Sequence, residues 1–126
     1  MTTEPQQSSA PLADGRQSEA ALAIARGASR CLLAHGFARL PELTLANGRR
    51  ADLIAIDMKG TIWIVEIKSS LADFRIDQKW PDYRDYCDRL FFAIPTTMEP
   101  AIMPPEAGLI IADSWGAEII DRKSVV

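Results

Sequence analysis

The chain has 126 residues, of which 48 % are hydrophobic and 25 % charged, and its formal net charge is −3. This is the size and balance of one globular domain, so one core is expected, with no room in these residues for a second catalytic domain. The acidic balance also argues against a protein that coats nucleic acid through bulk charge, while leaving room for a local basic cleft.

Residues 1–15 are rich in Pro, Gln, Ser and Thr and read as a flexible tail; residues 16–126 read as a single domain. The tail has no basic segment followed by an apolar core, and no later apolar run approaches the roughly 20 residues of a membrane span. A soluble, cytoplasmic protein with no membrane partner is expected. Cys31 and Cys87, each within an expected helix, read as buried free thiols suited to that reducing compartment.

From about Arg16 to His35, Ala21, Leu22, Ala25, Ala28, Leu32 and Leu33 recur at helical spacing, and Gly36 is placed to end the helix. "FARLPELTLANG" reads as a Pro-interrupted edge strand closing on an Asn-Gly turn. "ADLIAID" and "TIWIVEIK" read as two strong strands joined by "MKG", which completes an antiparallel meander. Ser70 followed by Asp73 resembles a capping box opening a helix over "SLADFRIDQK", and Pro81 suits the first turn of a second helical piece running to about Arg89. "LFFAIP" is a fourth buried strand, a Pro-rich loop follows, and "LIIAD" and "AEII" flank the turn "SWG" as a hairpin. The expected fold class is α/β, with helix, three-strand meander, helix, strand and hairpin around one mixed sheet.

Two carboxylates and an ammonium gather at one end of the strongest strands. With Met58, Lys59 and Gly60 as the loop, Asp57 pairs with Thr61 and Asp52 falls opposite Glu66, while Glu66 and Lys68 share a face. Two carboxylates that close repel each other unless something positive lies between them. A hard divalent cation such as Mg²⁺ answers that need, with Lys68 placed to position a water or neutralise an attacked phosphate. The same spacing also suits a purely structural Asp52–Lys68–Glu66 ion-pair cluster.

"RRAD" followed by "WIVEIKSSLADF", after a helix bearing Glu19, resembles the D-x(n)-E-x-K core of the PD-(D/E)xK nuclease superfamily. The longer string "EIKSSLADFRIDQKWPDYRDYCDRLFFAIP" is similar to the MmcB-like family, to which bacterial DNA-repair endonuclease activity is ascribed. The likeness runs from about Ser18 onward. It implies a restriction-endonuclease-like fold and Mg-dependent hydrolysis of DNA phosphodiesters, with Mn²⁺ as a substitute. It further implies Asp52, Glu66 and the backbone carbonyl of Ile67 as metal ligands, Lys68 as the water-orienting or charge-stabilising group, and Glu19 as an accessory acid. Ala51 stands where the motif has proline, and Lys79 with Tyr83 only approximates the Q-x-x-x-Y signature of one superfamily branch.

Sugar-phosphate contacts are expected from Arg49, Arg50, Lys79 and Arg84, with Tyr83 a weaker candidate beside them. His35, the sole histidine, sits at a helix end and suits capping, which leaves no paired-histidine site for this chain to build. Trp63 and Tyr83 read as core, Trp80 as either core or a base-stacking platform, and Trp115 as a lid or an exposed contact. A domain this small offers little surface to a duplex, so a homodimer or a repair-protein partner is expected alongside DNA. The alternative to the endonuclease is a catalytically weak module that binds DNA or a repair protein.

Overall fold

A computed structural model of the chain describes residues 18–120; the expected tail lies outside them. The described elements are α1 (Glu19–Ala34), β1 (Ala38–Thr44), β2 (Arg50–Ile56), β3 (Ile62–Ile67), α2 (Leu71–Ile76), a 3-10 helix (Trp80–Tyr86), β4 (Arg89–Pro95), a 3-10 turn (Pro100–Ile102), β5 (Gly108–Ala112) and β6 (Ala117–Ile120). The strands form one six-stranded sheet in sequential order. The β1–β2–β3 meander is antiparallel, β3–β4 and β4–β5 are parallel, and β5–β6 closes as an antiparallel hairpin. The mixed α/β order is thus the one expected.

Local chemistry sets the ends of α1. Ser18 caps it, its hydroxyl accepting the Ala21 N–H at 3.2 Å. At the other end Gly36, at φ +88°, lets the Phe37 N–H reach the Leu32 carbonyl and its own N–H reach that of Leu33. This double bond satisfies carbonyls that the helix leaves open. His35 is the C-cap, with Nδ1 2.8 Å from the Cys31 carbonyl, which fulfils its expected capping role. The buried stripe is Ala21, Ile24, Gly27, Ala28, Cys31 and Leu32, so Leu22 and Leu33, expected inward, are exposed. Small residues let the helix settle close: a Cβ on Gly27 would lie 1.8 Å from the Asp113 carbonyl oxygen.

Alternation along the strands divides the core in two. Leu53, Ala55, Val65, Ile67, Phe91, Ala93 and Ile110 pack under α1, with Trp63 against them between Phe37 and Phe91. Ile54, Ile64, Leu90, Phe92 and Ile94 face the other way, beneath Phe74, Trp80 and Tyr83. Even-numbered β2 and β3 positions therefore look toward α2 and the Trp80–Tyr86 helix.

The segment after β3 is shorter in its helices than the sequence suggested. α2 stops at Ile76 because Asp77 turns extended (φ −91°, ψ 102°) and its carboxylate accepts the Lys79 N–H at 3.0 Å. The next piece is a 3-10 helix with Pro81 in its first turn, and it ends at Tyr86. Arg89 already belongs to β4, drawn in by Asp88, whose N–H and carboxylate both pair with the backbone of Ile62. Cys31 and Cys87 are free thiols, the first buried and the second half-buried. Among the described residues no helix is long and apolar enough to cross a membrane.

Candidate functional site

The β2–β3 register runs Leu53 to Val65 and Ile56 to Ile62, with the Asp57 N–H bonded to the Thr61 carbonyl and Gly60 at φ +84° in the turn. Continued by one residue, that register sets Asp52 opposite Glu66. The two strands are joined there by side chains in place of backbone. Asp52 Oδ2 accepts the Ile67 N–H at 2.8 Å, and Glu66 Oε2 accepts the Asp52 N–H at 3.0 Å. Pairing of β1 with β2 lapses at the same level. Pro41 pairs with Leu53 and Leu43 with Ala51, but Glu42, at φ +55°, stands between them without a partner position.

Glu66 is 2 % exposed and Lys68 3 %, depths at which a charge needs compensation. Burial, then the charge of Asp52, holds the Glu66 carboxyl well above the usual carboxylate range. Burial likewise pushes Asp52 up to about 6, against the opposing pull of the Ile67 N–H and the Lys68 charge. Among the described residues, Asp52 Oδ1 and Glu66 Oε1 accept no hydrogen bond.

Lys68 does not pair with either of them. Its ammonium meets Asp77 Oδ2 at 2.5 Å, so the alternative of a structural Asp52–Lys68–Glu66 ion-pair cluster is not what forms. Burial disfavours the Lys68 charge, but the hydrogen bond and charge of Asp77 outweigh it and raise its pKa, so the side chain is a cation at neutral pH. Asp73 is buried beside it and accepts the Ser69 N–H at 3.3 Å, while its own N–H bonds the Ser70 hydroxyl at 3.0 Å. The capping box read from Ser70 and Asp73 is therefore present, with its carboxylate reaching one residue further back.

The structure brings together Asp52, Glu66, the Ile67 backbone and Lys68, and adds Asp73 and Asp77, which the sequence reading left as acids of the helix expected over "SLADFRIDQK". Glu19 stands apart from this group, exposed in the first turn of α1, a helix that packs on the opposite face of the sheet. Tyr83 is buried as expected, and its hydroxyl donates to the Arg50 carbonyl at 3.1 Å. Burial, then the charges of Glu66 and Asp52, push its pKa up. Arg49 pairs with Asp82 at 3.0 Å and Arg84 with Glu106 at 2.9 Å. Arg84 also lies 4.9 Å over the Trp80 ring, which meets Phe92 edge-on, so Trp80 is packed between them. Lys79 is exposed next to Asp77. Trp115 is 76 % exposed at the tip of the β5–β6 hairpin.

Two opposed carboxyls, Asp52 half-buried and Glu66 buried, each with one oxygen fixed by backbone and one left over, suit a hard cation that takes few protein oxygens and keeps several waters. Among the described residues no set of three or more His, Cys, Asp and Glu side chains is gathered for a metal. Further donors would thus be backbone carbonyl, with Ile67 the nearest in sequence, and water.

No curated protein matches the chain. A solved structure is similar to it, a protein of unknown function, SPO1766, from Silicibacter pomeroyi, at 42 % sequence identity and a TM-score of 0.80. The likeness covers 84 % of this chain and 73 % of that one. The family model described as DNA repair protein MmcB-like matches residues 8–125, and the chain belongs to the MmcB-like family.

Proposed function

We propose that this protein acts in DNA repair as a metal-dependent endonuclease of the PD-(D/E)xK type. The observation that carries the reading is the pair of unbonded oxygens, Asp52 Oδ1 and Glu66 Oε1, on a half-buried and a buried carboxyl that oppose each other, with a cationic Lys68 two residues beyond Glu66. A divalent cation held there would supply Lewis-acid charge to a phosphodiester and make a water easier to deprotonate. Asp52 and Glu66 would hold that ion, and their backbone bonds fix both carboxylates without it. Lys68, kept protonated, serves as a charge partner for the attacked phosphate and not as the base. The family's description as DNA repair protein supports DNA as the polymer.

A module that binds DNA or a repair protein without cutting is the second reading. The Arg49–Asp82 and Arg84–Glu106 pairs favour its repair-protein form, since both arginines expected to meet sugar-phosphate are engaged within the chain. Cleavage of a labelled panel of single-stranded, duplex, gapped, flap and four-way DNA, with an RNA control, in Mg²⁺ and Mn²⁺ separates the two. The endonuclease cuts at least one DNA in a metal-dependent way, and Asp52→Ala and Lys68→Ala abolish the cut. No cutting, or cutting that survives both substitutions, leaves the binding module.

A further inference from the structure

Lys68 presents a problem of charge placement. It shares a face with Glu66 two residues away, and its side chain is long enough to fold back onto the Asp52–Glu66 pair. An ammonium seated between Asp52 and Glu66 would satisfy both carboxylates and fill the place that a metal ion needs. Yet its ion pair is with Asp77, across the end of α2.

Asp77 is itself held rigidly. Its Oδ1 accepts the Lys79 N–H at 3.0 Å and its backbone N–H donates to the Asp73 carbonyl at 3.2 Å, which leaves Oδ2 aimed at Lys68. The pair is graded in depth, with the Lys68 side chain 4 % exposed and that of Asp77 28 %. Asp77 therefore draws the ammonium away from the sheet toward the rim, where a substrate phosphate would arrive.

We propose that Asp77 is a positioning residue that clamps the Lys68 ammonium at the rim, keeping it off the Asp52–Glu66 pair so that the pair stays open to a divalent cation. The proposal rests on the metal-site reading above and assigns the site a divided arrangement. One carboxyl pair takes the metal, and one ammonium is tethered outside it to meet the phosphate. Substrate phosphate replaces Asp77 as the partner of Lys68, while the backbone bonds of Asp77 keep its carboxylate close enough to recapture the ammonium afterwards.

The test is a double-mutant cycle read by binding of Mn²⁺ to the full chain, followed by electron paramagnetic resonance of the free ion. Asp77→Asn keeps the side chain's size and its acceptor for the Lys79 N–H but releases Lys68. Affinity is expected to fall at least tenfold in Asp77→Asn, to change less than about twofold in Lys68→Gln, and to return to near the wild-type value in the double variant. Asp77→Glu, which retains the carboxylate, is expected to rescue binding to within about threefold, and it serves as the comparison should Asp77→Asn prove unfolded. A Lys68→Gln effect of the same size with and without Asp77 would mean that the two charges act independently from a distance. That result, or unchanged Mn²⁺ affinity in Asp77→Asn, overturns the clamp while leaving the metal site standing. Wild-type protein that binds no Mn²⁺ overturns both.

Discussion

Glu66 Oε2 accepts the N–H of Asp52 at 3.0 Å while Asp52 Oδ2 accepts that of Ile67 at 2.8 Å, so each carboxylate completes backbone as well as facing its partner. Charge and hydrogen bonding can therefore be separated by substitution. Asp52→Asn keeps an oxygen for the Ile67 N–H and removes the repulsion, so it should melt above wild type in EDTA at neutral pH. Asp52→Ala leaves that N–H without an acceptor, which costs about 1–3 kcal/mol. Thermal melts of the two in EDTA decide it; Asp52→Asn melting below wild type would mean that the charge itself stabilises the fold. Stability gained at the expense of activity is a usual mark of a working site.

The same pair sets a pH dependence. Burial raises Glu66 well above the usual range and Asp52 to about 6, whereas carboxyls of an unfolded chain ionise near 4. Between about pH 4 and 6 the folded state keeps protons that the unfolded chain has lost, so stability should fall as pH rises through that window. A cation that replaces those protons reverses the trend. At ten times its dissociation constant it adds about 1.4 kcal/mol at pH 7.5, and little at pH 4.5 where the carboxyls hold protons. Melting temperatures from pH 4.5 to 8, in EDTA and in Mg²⁺, should diverge only at the higher end. Curves that stay parallel would show that the pair binds no ion.

This pair was legible in the sequence because strand geometry is arithmetic. Once "MKG" is a three-residue loop with Gly60 in the left-handed position, alternation alone carries Asp57–Thr61 through to Asp52–Glu66. Pro41 marked β1 as an edge strand in the same local way. The partner of Lys68 was not legible. Asp77 reaches it only because α2 ends after six residues, and the spacing of apolar residues does not encode where a helix stops. Nor could spacing show that Arg49 and Arg84 would meet acids 33 and 22 positions away. Glu19 looked suitable by residue type, but the face on which α1 packs is a tertiary fact.

Tyr83 ties the Trp80–Tyr86 helix to the first residue of β2, two positions before Asp52, through its bond to the Arg50 carbonyl. Tyr83→Phe should lose about 1 kcal/mol, the net worth of one such bond. Asp82→Ala, which removes the exposed pair with Arg49 on the same helix, should lose about half of that or less. Urea melts of both variants measure the ranking. If Asp82→Ala were the more damaging, the helix would be held over the site by surface charge and not by its buried tyrosine.

Glu42 is the described residue other than glycine with positive φ, and it stands in β1 where pairing with Asp52 lapses. A left-handed backbone costs a residue bearing a Cβ about 1–2 kcal/mol, whereas glycine adopts it freely at an entropic cost of about 0.5–1 kcal/mol. Strain of this kind persists where surrounding structure imposes it, and here it leaves the Asp52 N–H to the Glu66 carboxylate. Glu42→Gly should therefore melt at or slightly above wild type and keep its Mg²⁺ response. Glu42→Val, β-branched and drawn to extended backbone, should melt lower and bind the ion more weakly, because straightening β1 offers the Asp52 N–H a strand partner and frees Glu66 to turn away. Thermal melts with and without Mg²⁺ read both effects. A Glu42→Val variant as stable and as responsive as wild type would separate the kink in β1 from the geometry of the carboxylate pair.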